Sequence, residues 1–201
     1  MRDILICFRS YHWLSLLLLL CPLNHAVGAE NLLVQTSLQG SAVVINAHAT
    51  IQAPLALIWS TLTDYNSLSE FIPGMEKSHV IERKGGTATV EQHGSAGFLF
   101  FSSPIDVVVD SIEEPPYIIG VKKVKGNVKQ LEGHYQIDRI SDADDRYILR
   151  WMGVIEPELY IPGFMSEMLI RSNVSDQFFG MVKEIERRQS LKNLSSLIAV
   201  E

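Results

Sequence analysis

The chain is almost without cysteine. Of its 201 residues only Cys7 and Cys21 are cysteines, and both lie in an N-terminal stretch that reads as removable. The chain beyond that stretch would then hold no disulfide framework, no thiolate metal site and no thiol nucleophile, so its stability has to come from a hydrophobic core. Positive charge is scarce too. There are 17 Lys and Arg against 23 Asp and Glu, a formal net charge of −6. Without Arg2, Arg9 and Asp3 the balance is 15 against 22, or −7. Such a balance argues against a nucleic-acid partner, which needs clustered cations facing phosphate. Catalytic motifs are missing as well. The chain has no HExxH, no glycine-rich phosphate loop and no Gly-x-Ser-x-Gly elbow. His48, His79, His93 and His134 do not pair at metal-ligand spacing. No catalytic residue, metal or cofactor is therefore assigned.

What is present begins with a leader. Residues 1–29 carry Arg2 and Arg9, then Trp13-Leu14-Ser15-Leu16-Leu17-Leu18-Leu19-Leu20, a break at Pro22, and the small-residue stretch Ala26-Val27-Gly28-Ala29. That order reads as a secretory signal cut after Ala29, leaving a periplasmic or secreted chain. An uncleaved anchor would need about 20 apolar residues, and Pro22, Asn24 and His25 interrupt the run. Lipidation at Cys21 is disfavoured by the bulky Leu20 before it. The remaining length, about 170 residues, suits one domain.

Residues 30–40 read as a loosely held lead-in. Val43, Ile45, Ala47, Ala49 and Ile51 then alternate with polar neighbours, the period of a strand with one buried face. The period changes after Pro54: Leu55, Ile58, Trp59 and Leu62 recur at three and four, a short amphipathic helix. Residues 65–71 give a second short helix, stopped by Pro73-Gly74. Six further strands are expected at about 76–84, 87–100, 103–113, 117–125, 128–140 and 146–156, with two-residue hairpin signals at Gly85-Gly86 and Gly126-Asn127. Pro115-Pro116 and the acidic residues 141–145 separate others. A long helix runs from Pro162 to about Ser190 with Lys183, Arg187 and Arg188 in its last turns, the sign a helix C-terminus favours. Residues 191–201 extend it or fray as a tail. The fold class is α+β, a curved antiparallel sheet of about seven strands whose apolar face only the terminal helix can cover.

Several short motifs fall within this order: Ala53-Pro54, Ile58-Trp59, Leu62-Thr63-Asp64-Tyr65, Phe71-Ile72-Pro73-Gly74-Met75, Glu114-Pro115-Pro116, Gly126-Asn127-Val128-Lys129, Leu131-Glu132-Gly133-His134-Tyr135 and Tyr160-Ile161-Pro162. Together they resemble the START-like helix-grip superfamily, in particular its polyketide cyclase and coenzyme Q-binding branch, over residues 41–190. The resemblance implies a hydrophobic cavity between sheet and terminal helix, holding a lipid, quinone or polyketide-like molecule. It also implies that residues 65–75, with Phe71 and Ile72, contribute to the cavity mouth. Fold alone does not fix function.

At ~100° per residue, Phe164, Met168, Phe178, Phe179, Val182 and Ile185 share one face of the terminal helix, with Arg171 and Ser175 near its middle. A buried guanidinium needs compensation. Two readings stay open for Arg171: a salt bridge to Glu91, Glu132 or Glu156 or a side chain reaching the rim, and a polar anchor for a ligand. Ser175 makes room or binds. Phe98, Phe100, Tyr135 and Trp151 are strand aromatics that line the same space or belong to plain core. Lys122, Lys123, Lys125 and Lys129 could touch an anionic membrane transiently, but read first as a solvated strand face. Asn173-Val174-Ser175 and Asn193-Leu194-Ser195 match the glycosylation pattern by chance. The expectation is an exported monomer enclosing a hydrophobic small molecule. The alternative is a cyclase or aromatase moving protons with Arg171, His134 or Tyr135.

Overall fold

The computed structural model describes residues 30–98, 101–141, 145–158 and 162–198; the leader lies outside them. Eight strands form one antiparallel sheet: β1 (Glu30–Gln39), β2 (Ala42–Gln52), β3 (Met75–Lys84), β4 (Thr87–Phe98), β5 (Phe101–Glu114), β6 (Ile118–Gly126), β7 (Val128–Ser141) and β8 (Arg146–Pro157). Their spatial order is β1-β2-β8-β7-β6-β5-β4-β3. The helices are α1 (Leu55–Leu62), α2 (Leu68–Phe71) and the long α3 (Gly163–Ile198), with a 3-10 turn at Tyr65–Ser67. No helix among the described residues is long and apolar enough to cross a membrane.

One expectation changes. The lead-in at residues 30–40 is a strand: β1 pairs with β2 from Glu30↔Thr50 to Gln39↔Ala42, which makes eight strands rather than about seven. Its period is hidden because a register shift falls between Glu30 and Leu33, where Asn31 has φ +61°. Of the two possibilities left open for residues 191–201, the described part, 191–198, extends the terminal helix.

The alternating residues of β2 point inward as their period requires: Val43, Ala47 and Ala49 are fully buried, and Ile45 and Ile51 nearly so. On this surface sit Ile58 and Leu62 of α1, Tyr147 and Leu149 of β8, and Val182 and Ile185 from the C-terminal half of α3. Each such aliphatic side chain contributes about 1.5–3 kcal/mol on full burial. That end of the molecule is a filled core. Gly180 lets the helix come close there, since a Cβ would stand 2.6 Å from both the Phe71 carbonyl oxygen and Pro73 Cδ.

An ionic cluster fixes this half of α3 from outside the core. Glu184, only 6% exposed at its side chain, accepts from Arg187 Nε (2.6 Å) and Arg188 Nε (2.7 Å). Arg188 also donates to Asp64 at 2.8 Å, tying α3 to the segment after α1, and its guanidinium lies 5.5 Å above the Phe71 ring. The hydrogen bonds from Arg187, helped by Arg188 and opposed by burial, hold the Glu184 carboxyl below its ordinary range. A depressed carboxylate stabilises the fold above its unfolded pKa and loses that contribution as pH falls through the folded value. Glu184→Gln should therefore cost about 1.5–3 kcal/mol at pH 7, the range for hydrogen bonds to charged groups. Urea midpoints of variant and wild type should begin to approach each other as pH falls below about 4.3, the free carboxylate value, and meet only below the lower folded value.

Candidate ligand-binding site

Where the C-terminal half of α3 packs tightly, its N-terminal half spans two adjoining hollows. The outer one, about 180 Å³, lies between α3 (Leu169, Ile170, Asn173) and strands β4 and β5 (Ala96, Ile105, Val107). The inner one, about 160 Å³, is bounded by Tyr65 and Ile72, by Tyr135 and Trp151 of β7 and β8, and by Phe178 and Met181 of α3. Met75, Gln92, Leu131, Ile155, Val174 and Gln177 line both, so they form the neck between the lobes. Each lobe is below the ~300–1,000 Å³ common for small-molecule pockets.

The floor of the inner lobe depends on two glycines. Gly133 and Gly153 face each other across β7 and β8. A Cβ at Gly133 would lie 2.8 Å from Trp151 Cη2, and one at Gly153 would lie 3.0 Å from Trp151 Cζ2. The missing side chains let the indole lie down against the sheet, where it meets the Tyr135 ring at 4.7 Å between centroids and 44° between planes. Burial pushes the Tyr135 phenol up to about 12. Burial, with nearby Glu113 adding to it, also raises Tyr65, whose buried hydroxyl lies near Ser111 and Glu113. Both phenols stay protonated at neutral pH, so they can donate a hydrogen bond but are poor bases.

At the rim, Asn173 clasps β4. Its Nδ2 donates to the Gly97 carbonyl (3.2 Å) and its Oδ1 accepts from the Gly97 N–H (3.3 Å). An amide engaged in this way is not presented for glycosylation. Nearby, a Cβ on Gly94 would fall 2.2 Å from the Gly74 carbonyl oxygen, so the Pro73-Gly74 crossing over β4 requires glycine there. Gly74 itself has φ +78°, a conformation that glycine adopts without strain.

The expected site residues divide. Ile72, Tyr135, Trp151 and Phe178 line the inner lobe. Phe71 does not; it packs on the core edge beneath Arg188. Phe98 ends β4 and its side chain is not described, and Phe100 lies outside the described residues. Phe164 and Met168 are 66% and 48% exposed, and Phe179 is 45% exposed with Lys183 Nζ 5.2 Å from its ring centroid. Ser175 is half-buried and lines neither lobe.

Arg171 is exposed, beside Leu33, Thr36 and Asn46 on an outer groove along β1. The expectation of a buried guanidinium is thus corrected. Two of the acids considered for it have other partners: Glu91 contacts His79 and His93, and Glu156 accepts from Ser41 and Lys129. The common cause is helix phase. The inward stripe is Ile170, Val174, Gln177, Phe178 and Met181, turned by roughly one residue's step (~100°) from the face chosen by its aromatics. The spacing 170, 174, 177, 181 is a helical repeat that could have identified it. Gln92 and Gln177, both in the neck, were missed because a glutamine carries no periodic signal.

Residues 51–178 match the family described as polyketide cyclase / dehydrase and lipid transport. The chain belongs to that family. No curated protein sequence matches it. Among solved structures, the Zhui aromatase/cyclase from Streptomyces sp. R1128 is similar at TM-score 0.61 and 17% identity, over 73% of this chain and 95% of that one. A START superfamily protein from Mycobacterium smegmatis is similar at TM-score 0.61 and 13% identity, over 72% and 97%. The STAR-related lipid transfer protein from Xanthomonas axonopodis is similar at TM-score 0.59 and 14% identity, over 78% and 99%. At these identities the likeness is one of fold, the START-like helix grip, and membership in the family agrees with a hydrophobic small-molecule ligand.

With Arg171 at the surface, Arg171→Ala should change stability by no more than about 0.5 kcal/mol, as for other exposed positions. Its urea midpoint and apolar-probe affinity should both match wild type.

Proposed function

We propose that the protein is an exported carrier that encloses one uncharged or weakly polar hydrophobic molecule between its sheet and α3. The observation that carries this reading is the pair of joined hollows, walled mostly by apolar side chains and floored by Trp151 and Tyr135. Export rests on the pattern of residues 1–29.

A cyclase-like activity is the second reading, drawn from the family description and the likeness to an aromatase/cyclase. It is the weaker of the two. Of the groups considered for proton transfer, Arg171 is exposed and His134 alternates to the face of β7 opposite Tyr135. Tyr135 alone lines the cavity, and its raised pKa suits a hydrogen-bond donor.

The basic run gives little support to membrane docking. Lys123 Nζ donates to the Val128 carbonyl at 2.5 Å, and Lys129 pairs with Glu156 at 3.1 Å. Displacement of a neutral fluorescent dye by apolar compounds should saturate near one site per chain without consumption of the compound. Steady product formation would favour the cyclase. Intact mass of the secreted protein should correspond to a start at or near Glu30; a full-length or lipidated species would contradict export by cleavage.

A further inference from the structure

Neither lobe is lined by an aspartate, glutamate, lysine or arginine among the described residues. The one imidazole at the outer lobe belongs to His93, which is held from the opposite face of the sheet. Its Nδ1 lies 2.7 Å from Asp106 and its Nε2 3.5 Å from Glu91. A carboxylate or ammonium group drawn into this space would lose its hydration with no counter-charge to replace it, which costs several kcal/mol.

The neck has polar groups of another kind. Gln92 projects inward from β4 on the same face as the fully buried Ala88 and Val90, and Gln177 projects inward from α3 between Val174 and Phe178. Neither side-chain amide has a hydrogen-bond partner within the described residues. Ser78, the cross-strand partner of Gln92, also has a buried hydroxyl without a partner. Each amide offers two donors and an accepting oxygen, and no net charge. Polar side chains left open between two apolar hollows are costly unless water or ligand satisfies them.

We propose that Gln92 and Gln177 are specificity residues that select an uncharged amphiphile. In this arrangement they bind its carbonyl, amide or hydroxyl group at the neck, while its apolar parts fill the two lobes. This deepens the carrier reading and rests on it. The selection works in two ways: an absence of charge excludes ionised head groups, and two amides recognise a neutral polar group in the middle of the cavity.

The test is displacement of a neutral dye at pH 8 by five twelve-carbon chains: dodecane, dodecanol, dodecanamide, dodecanoate and dodecylammonium. The alcohol and the amide should displace at about tenfold lower concentration than either ion, a difference equal to one charge-neutral hydrogen bond or more. Gln92→Leu and Gln177→Leu, both close in volume to the native residue, should each reduce the preference for the amide over a plain alkane several-fold. Gln177→Glu should raise the relative affinity for dodecylammonium. Dodecanoate binding as tightly as the amide would overturn the proposal while leaving a carrier, as would Leu variants that keep the full preference for the amide. If neither dye nor any chain binds, the carrier reading itself fails. Unchanged thermal midpoints in the Leu variants would show that any lost preference is not lost folding.

Discussion

One helix has to cover a sheet wider than itself. Eight strands at ~4.8 Å spacing would extend roughly 34 Å across if flat, whereas α3 with its side chains is about 10–12 Å wide. An apolar sheet face left uncovered is unfavourable in proportion to its area, so the sheet curls around α3, meeting it at both flanks while the middle strands stay farther away. On the β2 side the small residues Ala47 and Ala49 are buried in one core with Val182 and Ile185, and α3 lies close to the strand. Between the flanks β1, β2 and β4, which α3 approaches, the middle strands β5 to β8 stand off, and the gap is the cavity. The binding site is what remains when a single helix covers a curved sheet.

Glycine positions translate that geometry into a particular shape. Gly133 and Gly153 take side chains away where the Trp151 indole lies, so an aromatic ring forms the floor without filling the inner lobe. Gly180 brings α3 down onto Phe71 and Pro73, closing the inner end, and Gly94 accepts the crossing of Gly74 near the mouth. The Glu184–Arg187–Arg188–Asp64 cluster then anchors the packed half of α3, while the spanning half is held at the rim by Asn173 on Gly97.

Most of the fold was legible because it rests on strong local signals. The alternation in β2, the Gly85-Gly86 and Gly126-Asn127 turns and the change of period after Pro54 each correspond to the observed elements within a few residues. β1 was not legible: an adjacent Leu32-Leu33 pair and a left-handed Asn31 break its alternation, and its edge position leaves only one side paired. The site was half legible. Tyr135, Trp151 and Phe178 lie in it, but the phase of α3 was misread from Phe164, Met168 and Phe179, which face solvent. A helix over a cavity shows weaker contrast between faces than a helix on a packed core. Gln177 and Asn173 stand on its inner side, and apolar residues remain on its outer side, so the usual rule of one apolar stripe loses force.

The central claim is that ligand enters the space above Trp151. It is tested most directly by tryptophan emission from the secreted form of a Trp59→Phe variant, in which Trp151 is the remaining indole when Trp13 leaves with the leader. Adding an uncharged apolar compound should change the Trp151 emission saturably, with the same midpoint as dye displacement. Displacement of the dye with no change at Trp151 would place binding elsewhere and contradict the account.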